Sequence, residues 1–138
     1  MITKQLIESV KQGEGLRLSP YRCTAGKLSI GYGRNLDDVG ITQLEAEYLL
    51  MNDLQRAEND AKKLPGFDNC SQVRRDVLIE MVFNIGLPRV LGFRKMLAAL
   101  SNGDYAEAAR QMLDSKWHKD VGNRADRLAW RMENDRIS

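Results

Sequence analysis

Between Leu16 and Arg34 the apolar residues come in short runs broken by Pro20, Gly26, Gly31 and Gly33, and this interruption of an otherwise helical sequence decides the fold class. Short apolar and aromatic segments separated by turn residues suit a small antiparallel sheet, with a hairpin turn near Thr24-Ala25-Gly26. On the N-terminal side, Ile2, Leu6, Ile7 and Val10 fall at helical spacing and Gly13 supplies a stop. The spacing predicts a short amphipathic helix over about 2–12, with Glu14 just past its end.

After the sheet region the pattern is helical. Thr42 and Glu45 have the spacing of a capping box, which opens a long helix running towards Lys63 and ended by Pro65-Gly66. Ser71 can cap a second helix whose Val73, Val77, Leu78, Met81, Val82 and Ile85 form a broad apolar face before Gly86 and Pro88. Further helices are expected near 92–101, 104–115 and 123–133, the middle one opening with Asp104 as cap and Glu107 three positions on. The fold class is therefore α+β: a small N-terminal β-lobe and a mostly helical C-terminal lobe joined by the long helix, in one catalytic domain over 1–138. A cleft between the lobes is the expected site.

A chain of 138 residues buries a genuine core but leaves little room for a separate binding module. No uninterrupted apolar stretch approaches the roughly 18 residues of a membrane span, and the opening MITKQLIESVKQ alternates apolar with charged positions instead of forming a signal-peptide core. Cys23 and Cys70 are far apart and lack the paired spacing of a zinc or redox site, so a reduced cytoplasmic origin is expected. The net charge is +2, with the basic side chains weighted to the second half. That balance would suit an anionic cell wall or a nucleic acid, but the arginines and lysines are scattered among acids rather than gathered on one recognition helix. Gly31-Tyr32-Gly33 lacks the remaining spacing of a dinucleotide loop. His118 has no nearby ligand set and reads as structural or exposed, and Trp117 and Trp130 read as packing residues.

Glu14 lies between Gly13 and Gly15 at a helix-to-sheet junction, where the glycines bring backbone close to whatever lies opposite. From there the chain reads EGLRLSPYRCTAGKLSIGYGRNLDD, followed by MVFNIG at 81–86, GF at 92–93, YAEAARQMLDSKW at 105–117 and NRADR at 123–127. In these residues it resembles the phage lysozyme (endolysin) family that includes the T-even phage enzymes, glycoside hydrolase family 24. The family signature is a glutamate, an aspartate or cysteine nine positions on, and a threonine six further. Those positions hold Glu14, Cys23 and Ser29 here.

The resemblance implies a muramidase that hydrolyses the β-1,4 bond between N-acetylmuramic acid and N-acetylglucosamine. Glycoside hydrolysis by inversion needs an acid on one side of the scissile bond and a group that holds water on the other, about 6.5–9.5 Å apart. By the family's pattern Glu14 is the general acid, Cys23 occupies the second position, and Ser29 keeps the hydroxyl of the threonine without its methyl group. Arg124 matches an arginine that orients the acid by a charge-assisted hydrogen bond. Phe83 and Asn84 are expected to line the cleft, with Asn35 and Gln111 at further saccharide contacts. No metal or cofactor is implied, and no nucleic acid. The expected partner is the glycan strand of bacterial peptidoglycan, reached by a monomer that accumulates in the host cytoplasm and acts on the periplasmic wall after a holin permeabilises the membrane. The competing readings are a wall-binding homologue with weakened catalysis and a helical nucleic-acid-binding module.

Overall fold

A computed structural model describes residues 1–137. The chain forms two compact units, Met1–Tyr48 and Leu49–Ser138. The architecture is α+β, with the sheet in the first unit and helices throughout the second.

The first unit opens with α1 (Lys4–Glu14), capped by the Thr3 hydroxyl, which accepts from the Leu6 N–H at 3.1 Å. The helix ends later than its apolar spacing predicts. Gly13 stays helical, and Gly15 at φ 72° becomes the C-cap, its N–H donating to the Lys11 carbonyl at 2.9 Å. Glu14 is thus the last helical residue rather than the first beyond the helix.

Strands β1 (Arg17–Arg22), β2 (Leu28–Gly31) and β3 (Arg34–Asn35) follow as an antiparallel sheet in the order β1-β2-β3. Pro20 is accommodated because β1 is an edge strand whose register shifts between Arg17 and Tyr21, so its missing N–H breaks no ladder bond. The β1–β2 turn falls where the sequence predicts, with the Gly26 N–H donating to the Cys23 carbonyl at 2.8 Å. Tyr21 pairs with Ser29 and Ser29 with Asn35, which puts these three residues on one row of the sheet.

Among residues 1–48 only Ser29, 3% exposed, is fully buried, so apolar packing does not hold this unit together. Polar contacts do. Arg34 forks onto Glu45, its two terminal nitrogens donating at 2.8 and 2.7 Å, and one of them also reaches the Gly40 carbonyl at 3.1 Å. Glu45 in turn accepts from the Thr42 N–H at 2.9 Å while the Thr42 hydroxyl accepts from the Glu45 N–H at 3.1 Å. This is the predicted capping box, with an arginine from the sheet added to it.

Helix α2 (Gln43–Ala61) carries the chain into the second unit, where a 3-10 turn (Phe67–Asn69) leads to α3 (Gln72–Ile85). Ser71 caps α3 as expected, accepting from the Arg74 N–H. Beyond α3 the structure is more segmented than the sequence reading. Pro88 does not merely end α3 but sits in the first turn of a further short helix, α4 (Leu87–Leu91), where a missing N–H costs nothing. Helix α5 (Arg94–Ser101) follows. The segment expected as one helix over 104–115 closes at Leu113 as α6 (Tyr105–Leu113). Ser115 then caps α7 (Lys116–Val121), and α8 (Asn123–Asn134) completes the unit.

The core lies in this unit and is built from Val77, Leu78, Met81, Met96, Leu100, Met112, Leu128 and Met132 around Trp117. Trp117 is 2% exposed, meets the Phe93 ring edge-on at 6.2 Å and donates its indole N–H to Asn84 Oδ1 at 2.8 Å. Trp130 is half-buried beneath Arg136. His118 is structural: its ring nitrogens meet the Leu113 carbonyl at 2.9 Å and Asp126 at 2.8 Å.

Two outcomes follow from these contacts. Arg74 closes the end of α8, its Nε donating to the Met132 carbonyl at 2.6 Å and a terminal nitrogen to Glu133 at 3.0 Å, with the guanidinium 3.8 Å from the Tyr105 ring centre. Arg74→Ala leaves those carbonyls without partners and is expected to cost about 2 kcal/mol in urea unfolding. The Arg34 fork, helped by the Thr42 N–H, holds the Glu45 carboxyl down to about 2. A depressed carboxylate stabilises the fold above its unfolded value near about 4.3, and that contribution is lost as pH falls through the folded value. Wild-type stability should therefore decline between about pH 4 and 2 more steeply than that of Glu45→Gln, as read by urea midpoints across that range.

Candidate active site

Glu14, at the end of α1, is exposed, and its carboxyl lies against Gly33 in the turn between β2 and β3. The approach is close enough that a methyl group at Gly33 would come within 2.7 Å of Oε2 and 3.0 Å of Cδ. Helix end and turn meet here because Gly15 reverses the chain directly after the glutamate.

Cys23 stands at the mouth of the β1–β2 hairpin as a half-buried free thiol. The backbone N–H groups of Lys27 and Ala25 are the main causes that hold its pKa below the ordinary thiol value, with the Ser29 hydroxyl adding to the effect against some desolvation. Ser29 is buried on β2 and also donates to the Lys27 carbonyl at 3.3 Å. The hairpin register sets Cys23 opposite Lys27 and Ser29 opposite Tyr21, two rows apart on one face. Asn35 sits beside Ser29 on β3, but its amide is committed locally, donating to Asp38 Oδ2 and accepting from the Asp38 N–H, both at 2.9 Å.

The remaining expected site residues belong to the second unit. Phe83 is 40% exposed on α3 and borders a groove of about 290 Å³ with Asp53, Arg56, Ala57 and Asp60 of α2 and Val82. The neighbouring Asn84 uses its carbonyl oxygen to hold Trp117. Gln111 lines a separate groove of about 400 Å³ with Phe93, Arg94, Lys95, Asp114 and Ser115. Its amide donates to Glu107 at 2.8 Å and, with Arg110, keeps that carboxyl low. Arg124 donates through Nε to Glu80 Oε2 at 2.9 Å, a partner that sequence reasoning did not anticipate.

Two further features escaped the sequence. The α2 side of the Phe83 groove is readable in principle, because positions 53, 56, 57 and 60 fall on one helical face. The contact of Gly33 with Glu14 is not, since it joins residues far apart in the chain. Among the described residues no group of three or more His, Cys, Asp or Glu is placed to hold a metal ion, and no helix is long and apolar enough to cross a membrane.

The chain matches a family model described as Phage lysozyme over residues 11–135. It is 34% identical over 125 residues to the "Endolysin" of Acyrthosiphon pisum secondary endosymbiont phage 1, covering 86% of this chain and 80% of that protein. It is 28% identical over 151 residues to the "Probable T4-type lysozyme 1" of Dictyostelium discoideum, covering 88% and 89%. It also matches the "Pre-baseplate central spike protein Gp5" of Enterobacteria phage T4 at 28% identity over 89% of this chain, which spans 26% of that longer protein.

The two thiols should separate cleanly. Cys70 is buried, its pKa raised by desolvation, whereas the N–H groups around Cys23 favour its thiolate. Iodoacetamide should modify Cys23 alone in the native protein. The rate should reach half its maximum at a lower pH than for an ordinary thiol, as followed by mass spectrometry across pH.

Proposed function

Since the chain belongs to the phage lysozyme family, we propose that it is an endolysin muramidase cleaving the β-1,4 bond between N-acetylmuramic acid and N-acetylglucosamine. The observation that carries this reading is the β1–β2 hairpin, which sets Cys23 opposite Lys27 and Ser29 opposite Tyr21, two rows apart on one face, nine and fifteen residues beyond Glu14 at the family's positions. Glu14 delivers a proton to the leaving glycosidic oxygen. Cys23 and Ser29 hold the attacking water, which adds to the anomeric carbon from the opposite side and inverts it. Ser29 keeps the hydroxyl that can both donate to and accept from that water. Phe83, Asn84, Asn35 and Gln111 contribute saccharide contacts, and Arg124 acts as an orienting residue. The partner is the peptidoglycan glycan strand, met by a monomer released from the host cytoplasm to the periplasmic wall by a holin, with lysis as the outcome.

Glu14→Gln keeps the shape of the acid but carries no proton for the leaving oxygen, so it should lower turnover of purified peptidoglycan by about 10³-fold with unfolding unchanged. Cys23→Asp should keep activity and Cys23→Ala lose it. Reducing muramic ends among the products identify the bond. Binding to peptidoglycan without release of such ends would replace the enzyme reading with that of a wall-binding homologue. Release of a retained anomer would make Cys23 a nucleophile instead of a water-holding group.

A further inference from the structure

We infer that Gly33 is the positioning residue of the acid: its missing side chain is the space in which the Glu14 carboxyl rests. This rests on the reading of Glu14 as general acid. Two glycines with positive φ flank the β2–β3 turn, Gly31 at the end of β2 at φ +72° and Gly33 within the turn at φ +77°. Both would be strained by an L side chain. They differ in what that side chain would meet. A Cβ at Gly31 has nothing within 4 Å, whereas one at Gly33 falls 2.7 Å from Glu14 Oε2, 3.0 Å from Cδ and 3.5 Å from Cγ.

The two sides of that clash are unequal. Gly33 belongs to a turn closed by the Ile30–Arg34 pair, while the atoms it would strike are the free end of an exposed, flexible side chain. The carboxyl therefore moves, and the turn does not. Placing a methyl group there leaves the fold little worse than the same change at Gly31 but pushes the acid out of register with the hairpin that bears Cys23 and Ser29. Gly33 touches no reacting atom; it acts through Glu14.

The paired variants Gly33→Ala and Gly31→Ala separate this role from backbone strain. Their urea midpoints should agree, while kcat on purified peptidoglycan should fall about 100-fold further in Gly33→Ala with KM within about threefold, because proton delivery is lost and saccharide binding is not. Gly33→Asn restores the Cβ on a residue that tolerates the left-handed region, and should behave like Gly33→Ala. The ¹³C carboxyl resonance of Glu14 should shift in both Gly33 variants and stay in place in Gly31→Ala, a readout that needs no turnover. Equal kcat in the two alanine variants, an unmoved Glu14 resonance, or failure of both Gly33 variants to fold where Gly31→Ala folds would overturn the positioning role. Turnover that survives Glu14→Gln would instead overturn the acid assignment, and the positioning role with it.

Discussion

The fork of Arg34 on Glu45 is the contact on which the candidate site's geometry depends. Residues 1–48 bury no apolar side chain fully, so the hydrophobic effect that normally fixes an antiparallel sheet has little to act on there. In its place one guanidinium ties β3, the Gly40 carbonyl and the first turn of α2 together through three hydrogen bonds. The strand held in this way pairs with β2, which carries Ser29, and β2 pairs with β1, which leads into Cys23. Loss of the fork would loosen every later step in that chain of pairings, because each strand takes its register from its neighbour.

Local signals in the sequence were read well because each is satisfied within a few residues. The capping box at Thr42 and Glu45, the Ser71 and Asp104 caps, the Gly26 turn and the apolar face of α3 all close over short distances in the chain. What was misread depended on competition between neighbouring signals. Gly13 and Gly15 both offer a helix stop, and only the second adopts the left-handed cap. Pro88 reads equally as the end of one helix or the start of the next, and here it begins α4. Helix α7, capped by Ser115, falls between the helices expected at 104–115 and 123–133, in a stretch to which the sequence reading gave no element.

The site was legible only where motif spacing coincides with a hairpin. Cys23 and Ser29 are separated by one turn, so their placement on one face of the hairpin follows from β1–β2 pairing. Asn84 and Arg124 show the opposite case. Each was assigned from a family pattern, and each has a partner that the pattern does not name: Trp117 for Asn84 and Glu80 for Arg124. A side chain that already holds a core indole is a scaffold residue first, and any saccharide contact must use what is left, its amide nitrogen.

The two units solve different physical problems. In the second, a methionine-rich core around Trp117 supplies burial, and flexible thioethers can fill the gaps between its short helices. In the first, chemistry-bearing groups stand on glycine-lined backbone: Glu14 between Gly13 and Gly15 and against Gly33, Cys23 against N–H groups exposed by a tight turn. Backbone that approaches so closely can place dipoles on a sulfur and leave room for a carboxyl, tasks that a packed apolar interior performs poorly. The cost is a segment with few buried contacts, which is where local opening is expected to be easiest. Because the causes that lower the Cys23 pKa are backbone N–H groups fixed in the turn that Gly26 closes and not a mobile cation, that lowering is expected to persist when salt screens surface charge.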